Sequence, residues 1–204
     1  MKVQFESTLG VGRRSDIVDG AIHVLGTCGS RGLTHRAVDS FLKLPEGSSS
    51  NYFRTRHALE IAIFVRICEI DIYVLNSALA AADVSEPGID SAMRILADAM
   101  TKFLGDEENV INQRARLEVF LRSTTWPTLF ELVDNHRRAF RDALRTLLSK
   151  VDVNVSESAS RALIAVGDGF VVDKFMTSKG QLPLSFEVLL DIFRAILTSE
   201  NHWP

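Results

Sequence analysis

Helical periodicity between prolines is the feature that most constrains the fold of this chain. Most of the 204-residue sequence repeats apolar residues every three to four positions, and almost none of it alternates as a half-buried strand does. The internal prolines, which end or kink helices, lie between these segments: Pro45, Pro87, Pro127 and Pro183. Residues 151–155 alternate, but Asp152 and Asn154 stand among them, so we expect a loop there. The pattern predicts an all-α fold.

The same periodicity gives the expected helix boundaries. After a first helix at about 15–28 and two short ones, helices are predicted at 56–82, 89–104, 108–125, 128–150, 156–177 and 184–198. Loops are expected at 83–88 and 105–107. With 46 % hydrophobic and 24 % charged residues, the composition is ordinary for a globular protein with a real core.

Two short helices joined by a tight turn are predicted between residues 33 and 53. Thr34 is a good N-cap for the first, because its hydroxyl can accept from a free backbone N–H. Pro45 and Gly47 break the helical pattern, and residues 48–51 are all small and polar. A short helix with so little apolar surface makes sense if its exposed face contacts something polar. The second helix of a helix-turn-helix, lying in the major groove of DNA, fits this description.

This segment resembles the DNA-binding domain of the TetR family of bacterial repressors. The matching positions are Leu33 and Thr34 before the second helix, Arg36, Gly47 and Ser48 at the start of the third, Phe53 at its end, and Thr55, Arg56 and Leu59 at the opening of the fourth. Two departures stand out: Ser50 replaces a frequent Tyr, and Lys43 and Leu44 occupy turn positions that usually hold Gly and a β-branched residue.

The resemblance implies a three-helix helix-turn-helix DNA-binding domain at residues 1–57. Residues 58–204 would then form a helical effector-binding and dimerisation domain. By the same resemblance, the protein is expected to be a ligand-responsive transcriptional regulator, a repressor released from its operator by a small molecule. The alternative from a different class is an all-α small-molecule-binding or scaffold protein whose helix-turn-helix makes protein contacts only.

Candidate DNA contacts follow from side-chain chemistry. Thr34, Thr55 and Arg56 stand at helix starts, where backbone N–H groups also favour phosphate. The candidates for the groove are Arg36, Ser48, Ser49, Asn51 and Tyr52, with Arg13, Arg14 and Arg31 as further backbone or minor-groove contacts. For each of these, a solvated side chain is the alternative. Phe41 and Phe53 are expected in the core.

The charge distribution agrees with DNA contact at one end of the chain. The formal net charge is −3, but residues 1–57 carry +3 and the remainder carries −6. A basic segment attached to an acidic remainder is expected if only the first contacts phosphate.

The last predicted helix is apolar on two sides. Phe186, Leu189, Phe193 and Ile196 share one face, while Val188, Ile192 and Ala195 share another. Burial on two sides predicts a second subunit or a central place in a monomeric bundle. The resemblance favours a homodimer through residues 156–198, as a four-helix bundle.

An effector pocket between residues 56 and 150 is also implied by the resemblance. Such pockets are mostly apolar with a few polar anchors. The candidate lining residues are Tyr73, Phe103, Phe120, Thr124, Thr125 and Trp126, with Asp168 as a polar anchor or, alternatively, part of an interface or intrahelical ion pair.

Catalytic and metal-binding patterns are missing from the sequence. It has no GxSxG, P-loop or dinucleotide motif, so we predict neither an enzyme nor a bound cofactor. The five His form no HxxxH pair, which argues against a metal site, and His136 beside two Arg is interpreted as helix surface.

The lack of a signal-peptide pattern and the two widely spaced cysteines predict a cytoplasmic protein. No apolar run follows Lys2, and no window approaches the roughly 18 apolar residues of a membrane span. Cys28 and Cys68 are interpreted as reduced, mostly buried thiols, with a disulfide between them as the alternative.

Overall fold

The computed structural model describes residues 12–81, 87–104, 107–176 and 185–199, and most of them are helical. Within these ranges the helices are α1 (Arg13–Gly32), α2 (His35–Phe41), α3 (Ser48–Tyr52), α4 (Arg56–Ala81), α5 (Ile89–Leu104), α6 (Glu107–Ser123), α7 (Pro127–Ser149), α8 (Glu157–Met176) and α9 (Phe186–Thr198). The described part of the chain contains no strand, which confirms the predicted all-α fold.

Most predicted boundaries agree with the observed ones within two residues. The first helix is longer than predicted, because α1 continues to Gly32 across a break at Gly29, whose φ is 68° and ψ 179°. Pro127 begins α7, where its missing N–H costs nothing. Most of the loop predicted at 83–88, and residues 105–106 of the predicted turn, lie outside the described residues.

Contacts divide the described chain into two compact units. The first contains residues 12–71 and 107–136, and the second contains residues 72–104 and 137–199. The helix-turn-helix therefore shares a unit with α6 and with parts of α4 and α7. The predicted boundary at residue 57 separates functions, whereas these units are defined by contacts. That boundary therefore stays a prediction.

The first unit has one apolar core to which several helices contribute. Its most deeply buried side chains include Ile17, Val18 and Ala21 of α1, Leu59 and Ile63 of α4, Ala115 of α6 and Leu129 of α7. Helix α1 approaches α6 very closely, since a Cβ at Gly26 would collide with the backbone carbonyl oxygen of Ile111. Glycine is required at this crossing because any side chain would push the two helices apart.

The second unit packs α9 against α5 and α8. Leu189 and Phe193 of α9 are buried, and Gly167 of α8 lies next to Met100 and Phe193. Residues 151–155 form the expected loop, in which the three Val side chains are buried although no strand forms. The carbonyl oxygen of Val151 accepts from the N–H of Gly88 at 2.8 Å, which ties this loop to the start of α5.

Candidate nucleic-acid interface

The helix-turn-helix is held together by local hydrogen bonds. Thr34 caps α2 as predicted, since its Oγ1 accepts from the N–H of Ala37 at 3.1 Å. His35 Nε2 lies 2.7 Å from the carbonyl oxygen of Phe53, so the start of α2 contacts the end of α3. Phe53 is buried as predicted, with the Arg14 guanidinium 4.9 Å from its ring centroid. These contacts fix how α3 is presented at the surface.

The buried carboxylate of Asp39 supports the start of α3. The sequence did not predict this role for Asp39. Asp39 exposes only 2 % of its surface and accepts from two backbone N–H groups. Its Oδ2 lies 2.8 Å from the N of Gly47, and its Oδ1 lies 2.8 Å from the N of Ser49. A carboxylate at a helix N-terminus satisfies free N–H groups and complements the helix dipole. The five-residue α3 is therefore anchored from α2 rather than by a core of its own.

Most of the predicted DNA contacts are exposed on this segment. Thr34, Arg36, Asn51, Tyr52 and Thr55 are all accessible to solvent. Ser48 is half-buried, and its hydroxyl donates to the carbonyl oxygen of Pro45 at 2.6 Å. Thr55 Oγ1 accepts from the N–H of Ala58 at 3.1 Å, which makes it a cap for α4.

Ser49 is a correction to the predicted set. It is completely buried, and its hydroxyl donates to the carbonyl oxygen of His35 at 3.2 Å. Because its backbone and side chain both point into the packing between α2 and α3, it cannot read a base in this arrangement. A run of small polar residues carries no periodic signal that would have separated its buried member from the exposed ones.

Arg56 is occupied by contacts within the chain. Its Nε donates to Glu60 Oε1 at 2.8 Å, and its Nη2 donates to the carbonyl oxygen and Oγ of Ser30 at 2.6 and 2.9 Å. Arg56 therefore has a structural role at the end of α1, in addition to the predicted contact with phosphate.

Phe41 is a second correction, because it exposes 45 % of its surface instead of lying in the core. Its ring stacks on that of His23, with 4.3 Å between centroids. Ala37 and Val38 lie on the face of α2 that packs against the core. The short helix α2 leaves Phe41 outside that face.

The predicted pocket residues are distributed over both units. Phe120, Thr124, Thr125 and Trp126 belong to the first unit, whereas Tyr73, Phe103 and Asp168 belong to the second. Three of them are exposed: Tyr73 by 72 %, together with Thr124 and Thr125 in the turn between α6 and α7. The assignment of all seven residues to a pocket stays a prediction.

The remaining pocket candidates have identified neighbours. Trp126 packs on the ring of His57 at 4.4 Å between centroids. Phe120 lies against the guanidinium of Arg116 and the core of the first unit. Phe103 is partly buried. Asp168 accepts from Arg137 Nη1 at 2.9 Å, which is an ion pair between α8 and α7 of the same chain and not the intrahelical or interface pair of the alternative interpretation.

A buried polar cluster in the first unit was not predicted. Asp71 Oδ2 lies 3.3 Å from Arg116 Nε and 3.1 Å from His136 Nε2, and all three residues are buried. The interpretation of His136 as helix surface is therefore wrong. Its spacing from the buried Val133 and Phe140 on the same helix face is the signal that could have placed it.

Two further properties of the described residues bear on function. None of their helices is long and apolar enough to cross a membrane. No group of three or more His, Cys, Asp or Glu among them is arranged to hold a metal ion.

Solved structures with the same fold span nearly the whole chain. A transcriptional regulator from Rhodococcus sp. Rha1 is 21 % identical with a TM-score of 0.71, covering 95 % of this chain and 100 % of that one. A TetR-family member from Streptomyces coelicolor A3 is 24 % identical with a TM-score of 0.68, over 90 % and 96 %. The multidrug binding protein EbrR, complexed with ethidium, is 25 % identical with a TM-score of 0.68, over 91 % and 98 %.

Sequence comparison gives the family. No match was found among curated proteins. The family model described as "Tetracyclin repressor-like, C-terminal domain" matches residues 88–199, which is more than half of the chain. The protein therefore belongs to the tetracyclin repressor-like family of transcriptional regulators.

Proposed function

We propose that this regulator binds operator DNA as a homodimer and is released from it by a small molecule. The observation that carries the proposal is the construction of α3. This helix has five residues, is anchored by the buried Asp39, and presents Asn51 and Tyr52 to solvent. A helix held in place from behind with a polar outer face suits the major groove.

Within this proposal, exposed residues divide into two roles. Asn51, Tyr52, Arg36 and Ser48 contact the groove, and the amide of Asn51 can pair bidentately with adenine. Thr34 and Thr55 cap α2 and α4, so their hydroxyls and the adjacent N–H groups bind phosphate. Arg56 contributes positive charge beside them while remaining bonded to Ser30.

The charge distribution supports contact at this end of the chain. Residues 1–57 carry a net +3 and the remainder carries −6. The exposed Arg13, Arg14 and Arg31 add to the positive potential around the helix-turn-helix. Since phosphate contacts dominate nonspecific affinity, we expect binding to weaken steeply with added salt.

Dimerisation would use the outer faces of α8 and α9. Val188 and Ala195 are exposed on α9, and Ile192 between them is half-buried. On α8, Ala165 and Gly169 are exposed, and nothing lies within 4 Å of a Cβ built at Gly169. This small apolar surface would let a second copy approach closely, while Leu189 and Phe193 fill the core beneath it.

The effector is proposed to be a small organic molecule bound in the helical region beyond the helix-turn-helix. The similarity to EbrR, whose structure contains ethidium, supports this class of ligand. Release requires that the ligand bind the DNA-incompetent state more tightly, because a ligand with equal affinity for both states shifts nothing. Calorimetric titration with ethidium in the absence of DNA tests this part directly, and a flat titration would exclude ethidium as an effector.

A selection of bound fragments from random and genomic duplex DNA tests the whole proposal. We expect a short, two-fold symmetric sequence to be enriched, because a dimer presents two copies of α3. Uniform recovery of all sequences would contradict the proposal. It would favour the alternative in which the helix-turn-helix contacts another protein.

A further inference from the structure

The turn between α2 and α3 contains a left-handed residue that is not glycine. Lys43 has a φ of 54°. Its N–H donates to the carbonyl oxygen of Ser40 at 3.2 Å, and the N–H of Leu44 donates to the carbonyl oxygen of Asp39 at 2.8 Å. These two bonds form a Schellman motif at the end of α2. Glycine usually occupies the left-handed position of this motif, because a side chain there strains the backbone.

The neighbours of Lys43 hold it in this conformation. Leu42 and Leu44 are half-buried and pack against the core of the first unit. Leu42 lies so close to α1 that a Cβ at Gly20 would stand 2.8 Å from its side chain. The side chain of Asp39 also accepts from two backbone N–H groups at the start of α3, so this residue holds both sides of the turn. The strain at Lys43 is therefore kept in the folded protein.

The end of α7 offers a comparison within the same chain. It closes with the same pair of hydrogen bonds, from Asp152 N to Ser149 O at 3.2 Å and from Val153 N to Leu148 O at 3.1 Å. The left-handed residue there is Asp152, with a φ of 57°. Asp enters this region more readily than most residues, because its short polar side chain can hydrogen-bond locally. A lysine side chain lacks this compensation, so the motif at the end of α2 carries the greater strain.

The ammonium of Lys43 has no partner within the part of the chain that the structure describes. The residue is exposed, and its side chain makes neither a hydrogen bond nor an ion pair there. Arg56, by contrast, is bonded to both Ser30 and Glu60. Strained residues cluster where function requires them. A strained lysine that binds nothing in its own chain indicates a ligand outside the chain.

The position of the turn indicates what that ligand is. In a helix-turn-helix, the first helix crosses the DNA backbone and the N-terminal residues of the second contact base edges. Only four residues separate Lys43 from Ser48, the first residue of α3. The turn therefore lies where α3 would enter the major groove, which phosphates border on both sides. An ammonium on a flexible stem binds phosphate as a point charge.

We propose that Lys43 is a DNA-contact residue whose ammonium binds a backbone phosphate beside α3, which accounts for a lysine at a position that favours glycine. This inference rests on the proposed function and adds a contact from the turn itself. Because phosphate contacts carry no direct sequence information, Lys43 holds the protein in register on the duplex without choosing a base.

The test separates charge from strain with three variants of the full-length protein. Lys43→Gln removes the charge and keeps the strained side chain, Lys43→Arg keeps both, and Lys43→Gly removes both. Lys150→Gln removes the same charge at an exposed position just after α7 and is the control. We measure affinity for the selected operator and for scrambled duplex over a range of salt concentrations, and urea unfolding midpoints without DNA.

For Lys43→Gln and Lys43→Gly, we expect weaker binding to both duplexes and a slope of log affinity against log salt that is flatter by about 0.9, the value for one phosphate contact. Between roughly 50 and 200 mM salt, these variants should therefore lose about 3.5-fold less affinity than wild type. Lys43→Arg and Lys150→Gln should keep the wild-type slope. An unchanged slope for Lys43→Gln would overturn the proposal, as would a loss confined to the operator.

Unfolding midpoints test the strain. Lys43→Gly should raise the urea midpoint, because glycine adopts a φ of 54° without a steric penalty. Asp152→Gly relieves the same motif at the end of α7 and should raise the midpoint less, since Asp is better tolerated there. A Lys43→Gly protein less stable than wild type would show that the position is unstrained. The reason for assigning a ligand to Lys43 would then be lost, and the proposal with it.

The two duplexes separate this inference from the proposed function. If no operator is selected but scrambled duplex is bound, the proposed function fails, and the salt slope of Lys43→Gln on scrambled duplex still decides the phosphate contact. If an operator is selected and Lys43→Gln keeps the wild-type slope, operator binding stands and the contact from Lys43 is wrong. Absence of binding to any duplex would overturn both.

Discussion

Asp39 on α2 accepts a hydrogen bond from the backbone N–H of Ser49 on α3, with 2.8 Å between Oδ1 and N. Its second oxygen accepts from Gly47 N at the same distance. The carboxylate is buried, so one side chain of α2 completes the hydrogen bonding at the start of the next helix. Helix α3 thus depends on a residue that itself faces away from solvent.

Replacing Asp39 by Ala should destabilise the protein by about 2–3 kcal/mol, since two backbone N–H groups lose a charged acceptor. Asp39→Asn should cost less, because its carbonyl oxygen still accepts from one of them. Unfolding free energies from urea titration measure both changes. Glu46→Gln, at an exposed position in the same turn, is the control. If Asp39→Ala were as stable as this control, the cap would contribute nothing.

The fold was largely predictable because the longer helices repeat apolar residues at helical spacing. In α9, Leu189, Phe193 and Ile196 are buried as their spacing indicates, and Ser185 caps the helix. The loop at residues 151–155 was likewise predictable, since Asp152 and Asn154 are disfavoured in strands. Local sequence predicts which residues are buried wherever burial depends only on their spacing along one helix.

The site was less predictable because its details depend on contacts between helices. Asp39 and Ser49 meet only through the turn geometry, in which Lys43 adopts a left-handed φ of 54°. The pairing of Asp71 with Arg116 joins residues that lie far apart in sequence. Polar residues have no intrinsic preference that would reveal such partners, so their roles required the three-dimensional structure.

The two thiols should differ sharply in reactivity. Cys68 is buried, and burial raises the pKa of its thiol above the ordinary value, so very little thiolate forms near neutral pH. Cys28 is exposed near the end of α1. Titration with an aromatic disulfide reagent should therefore label one thiol in the folded protein and both in denaturant. Cys28→Ser should abolish the labelling of folded protein, and rapid labelling of two thiols before unfolding would contradict the burial of Cys68.

A charge on the outer face of α9 should disrupt the proposed dimer. Ile192→Glu places a carboxylate between Val188 and Ala195, where association would have to desolvate it. We expect light scattering to report a monomer or an aggregate. Thr128→Glu adds the same charge at the exposed start of α7 and should leave the assembly unchanged. If the Ile192→Glu protein were a normal dimer, the interface would have to lie elsewhere.

Asn51 should carry sequence information in the operator complex. It is exposed on α3, and its amide offers a donor and an acceptor together, as bidentate pairing with adenine requires. Asn51→Ala should lose about 1–3 kcal/mol of operator binding, roughly tenfold to a hundredfold in affinity, with nearly unchanged binding to scrambled duplex. Titrations of both duplexes at one fixed salt concentration measure the two losses separately.

The matched control for this prediction is Asn76→Ala, which makes the same change at an exposed position of α4 outside the helix-turn-helix. It should leave both affinities at the wild-type value.

Ser48→Ala should have a smaller effect than Asn51→Ala, because the Ser48 hydroxyl is already bonded to Pro45. Equal losses on operator and scrambled duplex would show that Asn51 only positions the protein on the backbone. Base reading would then belong to Arg36 or Tyr52, the other exposed candidates for the groove.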